Sequence, residues 1–392
     1  MHQLNPAEFA TGATHTVFPA VAGALIVALI LWETFETIVL PRRVARRFRF
    51  TVLVYRSIWL PWKAVARGFK GKKARETFLS FFGPLSLLIL FAVWALAIVC
   101  GFALMYYSNA SQDTTHPTFP TCLYFSGTTM FTLGIGDVVP HTNLERFLVV
   151  FEGGLGLGFL ALILSYLPVI YQAFSRREVN IVLLDARAGS PPTAAELLRR
   201  HADANYRGDL EQLLRDWERA SADILESHVS YPAVAYFRSQ HTNESWLAAL
   251  TAMLDTCSLM LTCIDQGASR QAKLTFAMCR HAIVDLAQLF GEAPVQDAPN
   301  RLPGPEFKRL SAMLTQAGFQ IRDEVHSCEK LTQLRAMYEP FVLALSRYLF
   351  MDVPPWILAK EITDNWKTSA WGRISGLAAD PHTHETHDDH ND

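Results

Sequence analysis

Long apolar runs fill the first part of the chain and amphipathic ones the rest. Three segments, about Val17–Leu40, Phe78–Tyr107 and Phe147–Phe174, are long and apolar enough to cross a bilayer, since a spanning helix needs roughly 20 such residues. After Ser175 the pattern changes to mixed charge with helical periodicity. Apolar positions recurring at three and four residues predict helices over Ala194–His201, Leu210–His228, Trp246–Ile264, Gln271–Phe290, Glu306–Ala317 and Lys330–Phe350. Glycine and proline clusters at Gly189–Pro192, Gly291–Pro305 and Val353–Pro355 predict the breaks between them. A short run, Val179–Leu184, fits either one strand or the end of the third span.

Charge orients the spans. Between Pro41 and Glu76 lie twelve Lys and Arg residues and a single acid, whereas Ser108–Leu144 contains neither Lys nor Arg. Basic loops stay on the cytoplasmic side, so the expected topology has the amino terminus outside, 41–76 inside, 108–144 outside and everything after Ser175 cytoplasmic. The location expected is the cell (inner) membrane. The first span is not expected to be a cleaved leader, because no basic residue precedes it and it outruns a short apolar core. Arg42, Arg43, Arg46, Arg47 and Arg49 follow that span at irregular spacing. They suit an anchor at anionic headgroups better than a voltage sensor, whose arginines repeat within a membrane-depth helix. Thr51–Phe69 interleaves aromatic with basic residues and predicts an amphipathic helix on the inner leaflet. Lipid headgroups along 42–75 are thus one expected partner.

The loop between the second and third spans is not simply polar. It holds an apolar run, Phe119–Met130, too short to cross and suited to a re-entrant helix. Non-helical backbone follows it, and such backbone survives at membrane depth only where it is buried in protein or lines a water-filled path. Gly134 and Gly136 stand two apart. That spacing suits a strand alternating between left- and right-handed conformations, which turns successive carbonyls the same way. Thr132 adds a hydroxyl at one end and Asp137 a carboxylate at the other. Rings of carbonyls from four chains can replace the water shell of a dehydrated cation.

Thr132-Leu133-Gly134-Ile135-Gly136-Asp137 resembles the TVGYGD selectivity filter of the tetrameric potassium channel superfamily. Thr121–Phe131 stands where that family has its pore helix, with Tyr124, Phe125, Thr128 and Thr129 as supporting side chains. Val139-Pro140 with Thr142 resembles the VP-x-T after the filter. Gly156, nineteen residues beyond Asp137, matches the hinge glycine of the inner helix. The likeness covers roughly 78–175. It implies a re-entrant pore helix and filter loop assembled as a homotetramer; with the three apolar segments and the helical periodicity after Ser175, the expected fold is an all-α membrane protein with three transmembrane helices and a helical cytoplasmic domain. Potassium is then the permeant ligand, with no cofactor and no metal beyond potassium in the filter. Three positions depart from the pattern. Ile135 replaces an aromatic, Phe131 stands where a second threonine is common, and Tyr124-Phe125 replace two tryptophans.

On this division, 1–76 holds the first span and the basic juxtamembrane segment, 77–175 the pore domain, 176–378 a helical cytoplasmic domain and 379–392 a disordered tail of histidines and acids. Within the third span, Leu157, Leu160, Leu164 and Pro168 form a stripe that faces either an inner gate or lipid. Gly153–Gly158 is no nucleotide loop, since no strand precedes it; close packing through Gly154 and Gly158 and a hinge at Gly156 both remain open. Glu152 lies roughly 10 Å below the start of its helix. It is expected either to brace the filter through Thr128 and Thr129 or to form a cation-attracting ring. Glu33 and Glu36 are expected to pair with arginines or meet another helix.

The six cysteines (Cys100, Cys122, Cys257, Cys263, Cys279, Cys328) show no CxxC pair and suit mostly buried thiols in a reducing compartment. His201, His228, His281, Asp255 and Glu324 have no nucleophile or metal spacing, and no Rossmann fingerprint or cyclic-nucleotide barrel pattern is present. Neither an enzyme nor a nucleic-acid partner is expected. The tail residues His382, His384, His387 and His390 suit weak metal binding at most. A weakly selective cation channel and a non-conducting scaffold or sensor are the alternatives to a potassium channel.

Overall fold

A computed structural model describes residues 6–40, 50–109, 118–202, 207–241, 243–265, 269–297, 299–322 and 324–358. The arginines at 42–49 and the tail at 379–392 lie outside the described residues. Among the described residues the chain is helical, with no strand and one isolated antiparallel bridge between Ile264 and Ile321. It divides into two units, Met1–Trp62 with Pro84–Tyr171, and Lys63–Gly83 with Gln172–Asp392.

In the first unit α1 (Pro6–Thr34) ends in a π-helical turn, Phe35–Val39, and together they supply the first apolar span. Two carboxylates near its end are not idle. Glu33 accepts the backbone N–H groups of Phe50 (3.1 Å) and Thr51 (3.3 Å) and the Thr51 hydroxyl (3.1 Å). It thereby caps α2 (Phe50–Ala66), where unpaired amides and the helix dipole favour negative charge. Glu36 accepts the Trp32 indole N–H at 2.7 Å. Of the alternatives for these carboxylates, Glu33 thus meets another helix. α1 crosses α4 (Phe82–Asn109) closely, because a Cβ on Gly23 would lie 2.3 Å from the Gly101 carbonyl oxygen. Small residues at such a crossing let two backbones approach in lipid.

The second unit is built around α9 (Trp246–Thr262), in which all side chains but Leu261 are buried. A helix apolar on every side belongs in a core. Its Thr251, Thr256, Ser258 and Thr262 hydroxyls each donate to the carbonyl four residues earlier, which lets them be buried. α8 (Arg207–Ser230), α10 (Arg270–Phe290), α12 (Glu324–Ala336) and α13 (Glu339–Leu349) pack around it. α7 (Ala194–Arg200) and α11 (Gly304–Gln316) complete the unit.

Two expectations need correction, and one open alternative is decided. Lys330–Phe350 is not one helix: it breaks between Ala336 and Glu339, because Pro340 lacks an amide and suits only a first helical turn. Val179–Leu184 is not a strand but lies inside α6 (Asn143–Ala188), which outruns the third apolar segment and ends at left-handed Gly189. Residues 63–76 do not divide off with the first span, since α3 (Lys72–Ser80) belongs to the second unit. There Lys72 and Arg75 meet Asp352 at 3.1 and 3.7 Å, and Glu76 meets Arg238 at 3.5 Å.

Candidate functional site

The segment between α4 and α6 begins with α5 (Phe119–Met130), whose Pro120 occupies the first turn, where its missing amide costs nothing. The twelve-residue helix stops at Phe131, and three left-handed residues then alternate with two others. Thr132 has φ +56°, Gly134 φ +57° and Gly136 φ +83°. The glycines need no special account. Thr132 does, because a side chain in that region costs about 1–2 kcal/mol. Its position is tied by its own N–H to the Thr129 carbonyl at 3.0 Å.

The Thr128 carbonyl at the end of α5 holds the next residues. It accepts from Leu133 N at 2.8 Å and from Gly134 N at 3.4 Å. Thr128 and Thr129 turn their hydroxyls to the Phe125 carbonyl, both at 2.9 Å, and so are spent within the helix. At the far end the Tyr124 hydroxyl donates to Asp137 Oδ1 at 3.3 Å, and the same oxygen accepts Val138 N at 3.1 Å. Tyr124 thus ties the aspartate to the pore-helix candidate. Phe125 packs edge-on against Tyr106, ring centroids 5.0 Å apart. Phe131 to Asp137 are all exposed in the single chain, Leu133 at 64% and Ile135 at 60%.

Beyond Pro140, Thr142 and Glu145 form a capping box at the start of α6. Glu145 N donates to Thr142 Oγ1 at 3.1 Å, while Glu145 Oε2 accepts His141 N at 2.7 Å and Thr142 N at 3.1 Å. The T-x-x-E spacing carries that signature in the sequence.

Glu152 is fully buried, and its partners are not Thr128 and Thr129. Tyr106 of α4 donates to Glu152 Oε2 at 2.8 Å, and Ser126 of α5 lies against Glu152 Oε1 and 2.9 Å from the Val99 carbonyl. One carboxylate on α6 therefore joins three helices. Nothing in the periodicity singles out Ser126 or Tyr106. The available signal was that a buried carboxylate near two spans needs hydroxyl donors, and Ser126 is the serine one turn before Met130.

The glycine run behaves differently from the expected Gly154–Gly158 pair. A Cβ on Gly153, Gly154 or Gly158 would meet nothing within 4 Å, whereas one on Gly156 would lie 2.1 Å from the Met130 carbonyl oxygen. Gly156 is thus the seat of α5 on α6. Helix α6 is unbroken through Gly156 and Pro168. Leu157, Leu160, Leu164 and Pro168 line one exposed face of it.

Among the described residues no group of three His, Cys, Asp or Glu side chains is placed to hold a metal. His228 is buried between Arg177 and Trp246, and His281 lies on the surface beside Asp285.

Residues 89–172 match the family model described as Ion channel. Over 292 residues the chain is 26% identical to the uncharacterized membrane protein YdjJ of Bacillus subtilis (strain 168), a match covering 71% of this chain and 81% of that protein. No solved structure matches.

Proposed function

From the premise that residues 89–172 are the pore domain of a pore-loop ion channel, we propose that the protein is a potassium-selective channel subunit conducting passively across the cell membrane. Four copies would surround one axis, each giving one strand from Thr132 to Asp137. The observation that carries this reading is the alternation of left-handed backbone at Thr132, Gly134 and Gly136. It turns successive carbonyls toward one side, and four such strands supply the oxygen cage that replaces an ion's water. The exposure of the same residues in one chain fits a site completed by other copies.

The remaining roles follow from that arrangement. Asp137, held by Tyr124, closes the outer end and attracts cations. The face at Leu157, Leu160, Leu164 and Pro168 lines the inner path and can close it as a dry constriction. Potassium is the permeant ligand, and the amino terminus lies outside with the helical unit in the cytoplasm. Lys and Arg side chains before α3 meet anionic headgroups, except Lys63, which donates to the Arg347 and Tyr348 carbonyls.

The test is reconstitution of the full chain in liposomes with opposed potassium and sodium gradients, together with a mass measurement in detergent. A tetramer passing potassium well ahead of sodium is expected. Equal fluxes would replace this reading with a weakly selective channel. A tetramer without flux would replace it with a scaffold or sensor.

A further inference from the structure

Helix α6 grips helix α5 at two points in one register. Glu152 meets Ser126, and Gly156 sits under Met130; each pair lies four residues from the other on its own helix. Residues four apart share a helix face, so the two contacts form a single seam. The first is polar and is locked from a third side by Tyr106 of α4, at 2.8 Å from the same carboxylate. The second is steric, because no side chain fits where Gly156 meets the Met130 carbonyl. Between them lies Thr128, whose carbonyl accepts the Leu133 and Gly134 amides. Any slip of α5 along this seam displaces that carbonyl, and with it the left-handed strand.

We infer that Ser126, Glu152 and Tyr106 are positioning residues for ion selection, acting through α5 and the Thr128 carbonyl on the strand at Thr132–Gly136. This rests on the channel reading for its functional half but not for its structural half. It also changes the place of bending. Gly156 is clasped, so inner-helix movement that leaves the filter undisturbed has to occur beyond it, on the Pro168 side. A bend at Gly156 itself would drag Met130 and alter selection.

The experiment uses the full chain in liposomes and compares Ser126→Ala, Glu152→Ala, Glu152→Gln and Tyr106→Phe. The potassium-to-sodium flux ratio is one readout. Hydrogen exchange of peptides covering residues 131–135 is the other. Removing a buried hydrogen-bond partner leaves the opposite group unsatisfied. Ser126→Ala and Glu152→Ala should therefore lower the flux ratio and speed exchange at Leu133 and Gly134 by about tenfold or more. Tyr106→Phe should do the same to a smaller degree. Glu152→Gln keeps an acceptor for Tyr106 and a donor for Ser126, and should recover most of the loss seen in Glu152→Ala.

Unchanged exchange in Ser126→Ala and Glu152→Ala overturns the inference, whatever the fluxes. Faster exchange with an unchanged flux ratio overturns its functional half. If the wild type passes no cation, the channel reading fails while exchange still decides the seam. Should Ser126→Ala not assemble, Tyr106→Phe, which removes one oxygen and leaves the ring, decides in its place.

Discussion

Glu152 and Asp255 are both carboxylates with almost no exposed surface, 0% and 1%, yet their surroundings differ in kind. Asp255 holds Arg301 in a two-pronged pair at 2.7 and 3.3 Å and accepts Tyr338 Oη at 2.6 Å. Arg301 goes on to Glu339 at 2.9 Å and the Pro354 carbonyl at 2.8 Å, and Arg335 closes the group on Glu339. Burial pushes the Asp255 carboxyl upward, with Arg301 opposing it, and pushes the Tyr338 hydroxyl well up as well. Glu152 has only hydroxyls, and among the described residues no cation pairs with it. The Asp255 network joins α9, α12, α13 and the chain near Pro354 within the second unit. The membrane network joins three helices but leaves the far face of α6 open. The apolar window of α6 is 11% buried, against 56% for the span holding α4. One network lies within a single unit; the other, on the proposed assembly, sets the place of a strand whose remaining neighbours belong to other copies.

The largest effect should separate conduction from assembly. Gly134 has open space around the missing Cβ, so alanine would not clash there; the cost lies in the backbone at φ +57°. At about 1–2 kcal/mol per copy, four copies give roughly 4–8 kcal/mol in one pore, comparable with the 5–15 kcal/mol that holds a whole domain together. Gly134→Ala should abolish potassium flux, and Gly136→Ala likewise, with the detergent mass unchanged. Wild-type flux in either would show that the alternation at 132, 134 and 136 is not the conduction path.

The same argument turned on the second unit predicts loss of stability instead. Asp255→Ala leaves Arg301 buried with half its partners, and breaking such a pair costs about 3–5 kcal/mol. At roughly 2–4 °C per kcal/mol for a unit of this size, its melting point in the full chain should fall by about 10 °C. Asp255→Asn, which keeps one acceptor and the shape, should fall less. A shift of only a degree or two in Asp255→Ala would mean that water reaches Arg301 and that the network is not closed.

How much of this was legible in the sequence follows the range of the interactions. The spans, α2, α5 and most helices of the second unit rest on local periodicity, and Gly134 and Gly136 announce their backbone by their lack of a side chain. Thr132 does not, because nothing in a threonine marks a left-handed φ; only its place two before Gly134 hints at it. Apolar spacing alone joins Lys330 to Phe350, and Pro340 overrides it. Glu152 was visible as a buried acid, but its partners sit 46 residues away on α4 and 26 away on α5, and no local pattern chooses Ser126 and Tyr106 over Thr128 and Thr129. The threonines were excluded by a local competitor, the Phe125 carbonyl. The pairing of Lys72 and Arg75 with Asp352 was hidden in the same way, since a basic stretch beside a span also suits headgroups.

A smaller effect is expected where α1 meets α4. A Cβ on Gly101 would lie 2.7 Å from Val27 Cγ2 and 2.9 Å from the Gly23 carbonyl oxygen. Gly101→Ala should push the helices apart at a cost of about 1–3 kcal/mol. Cysteines introduced on the facing sides of α1 and α4 should then cross-link more slowly in the variant. Equal rates would show that the two helices already move freely against each other.

The smallest effect tests how the second unit treats a buried cationic neighbour. His228 is fully buried, with Arg177 Nη1 3.3 Å from its Nε2 and Ser227 Oγ 3.2 Å from its Nδ1. Burial, then the Arg177 charge, hold its pKa well below the ordinary 6.5. The folded unit therefore keeps His228 neutral in a range where the unfolded chain takes up a proton. Where the unfolded state binds more protons, stability rises with pH; it must then fall as pH drops below about 6.5, by at most about 1.4 kcal/mol per pH unit for one group. Other groups titrate in the same range, so the informative quantity is the difference between wild type and His228→Asn. The variant should start less stable at pH 7.5 and lose less on going to pH 5. Parallel curves would mean that His228 gains a proton in place, which would require Arg177 to withdraw from Nε2 and give up its bonds to the Val234 and Phe237 carbonyls, now 3.0 and 2.9 Å.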